Sequence, residues 1–385
     1  MTNVAVNPGP ETAAALLSRA SQLVPRLKER SFQTEQLRQV PSETVQDLIA
    51  SGLLRIGNPG RYGSAGEDID VMFEVAWELS RGCGSTGWCY GQWTIHNWLI
   101  GHYPEQAQEE YYAGGPDTLC SSGLNMVGVQ AKPVDGGFRV SGRWEFSSGC
   151  DAASWAILAL PGTNNPVWAL VPRREYEIDH DTWFVSGLRG TGSKDLVIQD
   201  AFIPAYRIMD PERPGSAELT GWEIHGRLSY RVPMRSLTGW TALSSLGGMA
   251  LGAIDEFTAR LRGTAGPGRT ADSVALQLRL AESSAELDAA HALVRHNIRL
   301  ILDKAARGEP VTGLERARGQ RDCAFAARHS VQAVNRLFEA SGAHALADSQ
   351  PLQRFHRDVH SASHHAVLNW DAAAEHYGQL TLGAQ

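Results

Sequence analysis

The segment from Ser273 to Arg307 constrains the fold most, because its apolar residues recur at helical spacing along the whole segment. These residues are Leu276, Leu280, Leu287, Val294, Ile298 and Leu302. A helix with one long apolar face needs other helices to cover that face. Leu314 to Ala340 predicts a second long helix after Pro310. Long neighbouring helices joined by a short connection predict a four-helix bundle in this part of the chain.

The periodicity of the apolar residues changes between residues 118 and 209. Short alternating apolar segments replace the helical period, and Gly, Pro and Asn separate them. The turn at Asp135-Gly136-Gly137 predicts a hairpin. Residues before this region again have a helical period. The sequence therefore predicts a mainly α fold with a small central β-domain: a helical domain at 1–115, a β-barrel or sandwich at 116–212 and a helical bundle at 213–385.

Composition limits the classes of partner. The chain has 385 residues, of which 43% are hydrophobic and 20% are charged, and its net charge is -7. The sequence has no basic run of the kind that would indicate nucleic acid or a membrane surface as a partner. The five cysteines are odd in number and lack CxxC spacing, which indicates free thiols in a reducing compartment. Without a signal peptide or an apolar run that could span a bilayer, we predict a cytoplasmic protein.

Four histidines lie within ten residues near the C-terminus, at His356, His360, His364 and His365. No Pro or Gly interrupts them, so the sequence predicts that one helix carries all four. The first three then share a stripe that His365 leaves. Three interpretations compete: a solvated helix, a metal site, and histidines that face a bound cofactor. The metal site lacks the glutamate of an H-E-x-x-H motif.

Two further stretches combine aromatic and polar residues. A glycine-rich start at Cys83-Gly-Ser-Thr-Gly leads into a predicted helix with Trp88, Trp93, Trp98 and His96. Core packing explains such a helix as well as a binding site does. The second stretch is Trp-Glu-Phe-Ser-Ser-Gly at 144–149. Its two hydroxyls suit a planar ligand, or simply mark the end of a strand.

The order of helical domain, small β-domain and four-helix bundle resembles the acyl-CoA dehydrogenase architecture. Three motifs narrow this resemblance: G-S-T-G-W followed by His96, W-x-F-S-S-G at 144–149, and R-D-V-H-x-x-x-x-H ending at His365. In this order they resemble the group D flavin-dependent monooxygenases, the oxygenase components of two-component systems. The resemblance covers nearly the whole chain.

The resemblance implies an enzyme that takes reduced flavin, FMNH2 or FADH2, from a separate NAD(P)H:flavin reductase. Such an enzyme uses O2 to transfer one oxygen atom, through a flavin C4a-hydroperoxide, to a small aromatic substrate such as a phenol or an indole. The chain has no G-x-G-x-x-G after a strand, which agrees with dependence on a reductase partner. Long helices with an alanine-rich face, at Ala281, Ala285, Ala289 and Ala290, predict a homotetramer.

The resemblance also assigns residues to the cofactor. Ser148 is expected at flavin N5, with Ser147 as the neighbouring alternative. His365 is expected near C4a, where it hydrogen-bonds the peroxide. Trp88 is expected to flank the flavin, and Arg262 is a weaker candidate for the flavin phosphate.

Three residues are assigned to the substrate by the same resemblance. His96 is expected to line the pocket and to bind or deprotonate a phenol-like group, and Ser122 and Trp93 are expected in the same pocket. A histidine whose pKa lies near the working pH suits a general base.

Other functions remain open at this point. An N- or S-oxygenase of the same family has similar site residues. An acyl-CoA dehydrogenase-type oxidoreductase needs a carboxylate base, and the segment from Ser341 onward offers only Asp348 before the histidines. A non-enzymatic flavin-binding or scaffolding protein is the third alternative, and the presence of Ser148, His96 and His365 argues against it.

Overall fold

The computed structural model describes residues 12–66, 69–211, 221–232, 234–263 and 272–383. Its first part is helical, with α1 (Ala13–Leu37), α2 (Ser42–Ala50), α3 (Ile69–Gly82), α4 (Gly84–Ile100) and α5 (Glu105–Tyr112). The Thr12 side chain caps α1 by accepting from Ala15 N. The helix runs to Leu37, and its buried face continues through Ser31 and Thr34.

The central part is a β-sandwich. Its strands are β1 (Cys120–Gly123), β2 (Asn125–Val134), β3 (Gly137–Ser147), β4 (Trp155–Leu160), β5 (Val167–Pro172), β6 (Glu177–Asp179), β7 (Lys194–Pro204) and β8 (Ile208–Met209). They form two four-stranded sheets of order β1-β4-β5-β8 and β2-β3-β7-β6. The predicted hairpin joins β2 to β3, with Val134 paired to Gly137. Trp144 crosses between the sheets and donates to Ala159 O at 2.7 Å.

The last part is helical again, with α6 (Gly221–His225), α7 (Arg235–Gly263), α8 (Val274–Arg307), α9 (Gly313–Ala340), α10 (Pro351–Ser363) and α11 (Trp370–Leu382). Ser273, the first residue of the segment with the helical period, is the N-cap of α8, and a capping box of Thr312 and Glu315 starts α9. One continuous hydrophobic core joins α3 and α4 to the bundle helices, and the sandwich has a core of its own. The predicted fold class is confirmed.

One structural prediction about the histidines is wrong. Helix α10 ends at Ser363, His364 is its C-cap, and His365 starts a short 3-10 turn at Ala366–Leu368. Two histidine side chains bond backbone groups at this point. His364 Nδ1 lies 2.7 Å from His360 O, and Val367 N donates to His365 Nδ1. This local competition ends the helix without Pro or Gly. His365 therefore lies outside α10, so the helix does not set the direction of its side chain.

Two of the first three histidines pack within the bundle, while His364 is exposed and contacts the backbone of its own helix. His356 stacks on Phe338 of α9 with ring centroids 4.1 Å apart, and His360 Nε2 lies 2.7 Å from Asn335 Oδ1. Their partners are structural, and the described residues contain no group of three or more His, Cys, Asp or Glu that could hold a metal ion. No helix in the described ranges is both long and apolar enough to span a bilayer.

A buried carboxylate holds the end of α10 in place. Glu35 of α1 pairs with Arg357 at 2.6 Å, and with Arg354 and Arg189 at 3.3 Å each. Burial alone would raise the pKa of Glu35, but the hydrogen bond and charge of Arg357, with the charges of Arg354 and Arg189, lower it below its usual 4.5. The cluster ties α1 both to α10, which leads to His365, and to the 3-10 turn at Arg189–Thr191.

Replacing Glu35 tests this cluster. Glu35→Gln leaves three guanidinium groups without their carboxylate, so we expect a loss of about 3–5 kcal/mol in unfolding free energy. Because the folded-state pKa of Glu35 lies below 4.5, its contribution is complete above pH 4.5 and is lost as the pH falls through the folded-state value. Thermal melts between neutral and acidic pH should show the gap to wild type shrinking in acid.

Glu105→Gln is the matched control. Glu105 pairs with Arg61 at 2.6 Å, but its side chain is 52% exposed, so its loss should cost at most about 1 kcal/mol. Equal melting temperatures for the two variants would contradict the role given to Glu35.

Candidate active site

The turn after β3 is fixed from two sides. Ser148 Oγ accepts from Trp88 Nε1 at 3.1 Å and lies 2.7 Å from Ser193 Oγ. Gly149 N donates to Thr191 O at 2.8 Å. Gly149 has φ +69°, and a Cβ there would lie 2.5 Å from Trp93 Nε1, so both the conformation and the close approach require glycine. The turn is thereby seated on α4.

Ser147 and Trp93 have supporting positions. Both side chains are fully buried. Trp93 Nε1 donates to Gly149 O at 3.2 Å, while Ser147 is the last residue of β3 and points into the protein. The direct ligand contacts expected for these two residues stay predictions. Of the two adjacent serines, Ser148 is half-buried and Ser147 is fully buried.

His365 completes a group with Trp88 and Ser148. Its ring centroid lies 5.6 Å from that of Trp88, with the planes inclined by 57°. His365 is exposed as a residue, yet its imidazole is packed closely enough by the surrounding protein that desolvation lowers its pKa. Because Val367 N donates to Nδ1, the neutral ring carries its proton on Nε2. Nε2–H is thus a hydrogen-bond donor on the ring that lies beside Trp88.

His96 has the opposite tautomer. Its Nδ1 lies 2.8 Å from Cys120 O, and since a carbonyl only accepts, Nδ1 carries the proton. Burial lowers the pKa of His96 to about 4, and the hydrogen bond to Cys120 opposes this only partly. The near-neutral pKa expected from the sequence is therefore wrong for this structure. Nε2 of His96 is a lone-pair acceptor. Strand β1 also carries Ser122, two residues after Cys120 and half-buried.

Arg262 stands apart from these residues. It lies exposed in the last turn of α7, and no hydrogen bond or ion pair joins it to the described part of the site. Its contact with a flavin phosphate stays a prediction. A cavity of about 450 Å³ lies near the other end of α4, lined by His102, Trp222, Tyr230 and Arg231 among others, and it includes none of the predicted residues.

Sequence reasoning missed Thr191 and Ser193. Both are buried, their hydroxyls are 2.7 Å apart, and Ser193 continues the contact to Ser148. The signal available was the segment Gly190-Thr-Gly-Ser193, in which glycines bring hydroxyls close to the backbone. It lies far in sequence from the W-x-F-S-S-G motif, so only the pairing of β3 with β7 brings the two together.

The side chains of the Trp88–Ser148–His365 group fit a flat ring with polar edges. Trp88 offers an aromatic surface, Ser148 an oxygen and His365 a nitrogen donor. Phe146, next to Ser148, is 59% exposed with φ +65°, and Trp183 stands perpendicular to it at 6.3 Å. An isoalloxazine ring has this combination of apolar faces and polar edge atoms. These residues would hold a flavin.

Two family models match the helical parts of the chain. The model described as acyl-CoA dehydrogenase, N-terminal domain, matches residues 13–115, and the one described as acyl-CoA dehydrogenase, C-terminal domain, matches residues 240–370. Among solved structures, 3-HSA hydroxylase from Rhodococcus sp. RHA1 superposes with a TM-score of 0.90 at 33% identity, covering 96% of this chain and 97% of that one. XiaF from Streptomyces sp., in complex with FADH2 and glycerol, superposes with a TM-score of 0.86 at 26% identity, covering 97% and 96%.

Curated relatives extend over the full length. The flavin-dependent monooxygenase oxygenase subunit HsaA of Rhodococcus jostii (strain RHA1) is 34% identical over 376 residues, which cover 95% of this chain and 98% of that protein. The oxygenase component of FADH(2)-dependent resorcinol hydroxylase from Rhizobium sp. (strain MTP-10005) is 34% identical over 390 residues, covering 96% and 94%. The chain therefore belongs to the flavin-dependent monooxygenases, as an oxygenase component built on the acyl-CoA dehydrogenase fold.

Proposed function

We propose that this monooxygenase hydroxylates a small aromatic substrate, phenol- or indole-like, with reduced flavin delivered by a separate NAD(P)H:flavin reductase. The observation that carries the proposal is the Trp88–Ser148–His365 group, in which Ser148 and His365 meet Trp88 of α4, with neutral His96 two turns further along that helix. Relatives named resorcinol hydroxylase, p-hydroxyphenylacetate 3-hydroxylase and indole-3-acetate monooxygenase support an aromatic substrate. Bound reduced flavin, FMNH2 or FADH2, supplies the O2-dependent oxygen transfer.

The two neutral histidines have different hydrogen-bonding roles. His365 donates from Nε2, which would suit the oxygen atom that keeps the electron pair of the O–O bond and gains negative charge when the other oxygen is transferred. His96 accepts at Nε2, which suits the hydroxyl of a phenol or the N–H of an indole. With a pKa of about 4, His96 orients and polarises that group rather than removing its proton outright. Ser122 and Cys120 O lie beside it on β1.

An open site is poorly suited to chemistry that must exclude water. In a single subunit His365 is exposed and Phe146 is 59% exposed. Helix α8 also presents an exposed apolar stripe at Val274, Leu278, Ala281, Ala285 and Ala289. Residues at this spacing lie on one face of a helix, and small side chains allow close contact between helices. We propose a homotetramer in which this stripe contacts another subunit.

We also propose domain boundaries and a cellular location for the protein. We keep the domain boundaries at 1–115, 116–212 and 213–385, since the separate core of the sandwich supports its independence from the helices. Cytoplasmic location is supported by five cysteines that are all buried and free.

Oxygen transfer is tested directly with a generic flavin reductase, O2 labelled with 18O and a panel of phenols, indoles and aromatic sulfides. We expect one labelled oxygen atom in a phenol or indole product, detected by mass spectrometry. His365→Ala should lower kcat roughly a hundredfold, as loss of a preorganised donor does, while reduced-flavin affinity changes little. His360→Ala, which removes a ring bonded to Asn335, is the control and should retain kcat. Labelled sulfoxide as the only product would indicate an aromatic sulfide as the substrate class. The absence of any labelled product would refute the proposal.

The protonation state of His96 is measurable without turnover. We expect nitrogen NMR of histidine-labelled protein to show His96 neutral, with its proton on Nδ1, at every pH above about 5, since burial lowers its pKa to about 4. His96→Gln identifies the signal. A midpoint near 6.5, or a proton on Nε2, would contradict the acceptor role.

Light scattering tests the assembly. Wild type should be a tetramer at micromolar concentration. Leu278→Glu places a charge in the α8 stripe and should yield smaller species, because a buried unpaired charge opposes association. Val134→Glu, at a residue 42% exposed on β2, is the control and should stay tetrameric. A monomeric wild type, or dissociation by both variants alike, would count against the interface.

A further inference from the structure

A row of three hydroxyls leads from the backbone into the candidate active site. Thr191 Oγ1 donates to Leu188 O at 2.9 Å, Thr191 Oγ1 and Ser193 Oγ are 2.7 Å apart, and Ser193 Oγ and Ser148 Oγ are also 2.7 Å apart. Trp88 Nε1 donates to Ser148 Oγ at the outer end. Thr191 and Ser193 are buried, so bulk water does not compete for these bonds.

Each hydroxyl has one proton to donate, and this fixes the direction of hydrogen-bond donation along the row. A carbonyl oxygen only accepts, so the single proton of Thr191 is committed to Leu188 O. The bond between Thr191 and Ser193 then needs the proton of Ser193. The bond between Ser193 and Ser148 in turn needs the proton of Ser148. Ser148 therefore points its proton away from the site and accepts from Trp88, and its remaining lone pair faces outward.

The starting carbonyl is held firmly. Leu188 has φ +53°, and its N–H donates to Asp358 Oδ1 of α10 at 2.6 Å. Thr191 N also donates to Leu188 O, at 3.1 Å. Because two groups of one turn bind this oxygen and a buried carboxylate fixes the residue, the carbonyl has little freedom to turn away from Thr191.

We propose that Thr191 and Ser193 are positioning residues that make Ser148 a hydrogen-bond acceptor only, so that the site discriminates between the redox states of flavin. N5 of reduced flavin carries a hydrogen and can donate to Ser148. N5 of oxidised flavin is itself an acceptor and meets a lone pair. This proposal rests on the proposed function, in which flavin N5 lies at Ser148. The hydroxyl row favours the substrate form of the cofactor and releases the spent form.

The test compares dissociation constants for oxidised and photoreduced FMN and FAD, the reduced forms under anaerobic conditions, by flavin fluorescence or absorbance titration. Thr191→Val removes the hydroxyl two bonds away from the site. Ser193 can then donate to Ser148, whose proton is released toward the flavin. We expect oxidised flavin to bind roughly tenfold tighter relative to reduced flavin, the size of one hydrogen bond gained and one weakened. Thr191→Ser keeps the hydroxyl and should keep the wild-type ratio.

Two further variants separate the possible failures. Ser193→Ala breaks the row at its middle and should shift the ratio in the same direction, even if Thr191→Val folds poorly. Ser148→Ala should weaken reduced flavin about fivefold, since it loses an acceptor. If Ser148→Ala has this effect but neither other variant shifts the ratio, the positioning proposal is overturned and the flavin position stands. If Ser148→Ala changes neither affinity, flavin N5 is not at Ser148 and both are overturned.

Discussion

The attachment of the W-x-F-S-S-G turn to α4 is the contact on which the site depends. Two indole N–H groups make it: Trp88 donates to the Ser148 side chain and Trp93 to the Gly149 carbonyl. These bonds cross from the sandwich to the helical core, and each indole is buried enough that an unmade bond would be costly. Only glycine leaves room for Trp93 at position 149. The aromatic helix and the serine turn are therefore one unit, although about 55 residues separate them in the chain.

Both histidines of the candidate site are uncharged at neutral pH. His96 and His365 both have pKa values below the usual 6.5, in each case because burial disfavours the charged ring. Their backbone partners differ: a carbonyl holds the proton of His96 on Nδ1, while an amide N–H leaves that of His365 on Nε2. One ring accepts and the other donates, with no net charge in the site. Arg354 and Arg357 of α10 instead pair with Glu35 of α1.

Much of this was predictable from the sequence. The 3.6-residue period located α8 and α9 to within one or two residues, and the Asp-Gly-Gly turn located the hairpin, because both signals are local. The motifs named Ser148, His365 and Trp88, which the structure brings together, while their roles and that of His96 stay predictions. The end of α10 was missed because the side chains of His364 and His365 compete for backbone groups, which composition does not reveal. Ser193 was missed because its contact with Ser148 arises from strand pairing. The burial of Trp93 and Ser147 likewise depends on tertiary packing.

The central claim is that flavin lies against Ser148, Trp88 and His365. A crystal structure of the protein with reduced flavin, grown and frozen anaerobically, tests it most directly. The account predicts flavin N5 at hydrogen-bond distance, about 2.7–3.2 Å, from Ser148 Oγ, with the ring edge facing His365. A ring bound instead in the cavity at His102 and Trp222, or one whose N5 lies beyond reach of Ser148, would contradict it.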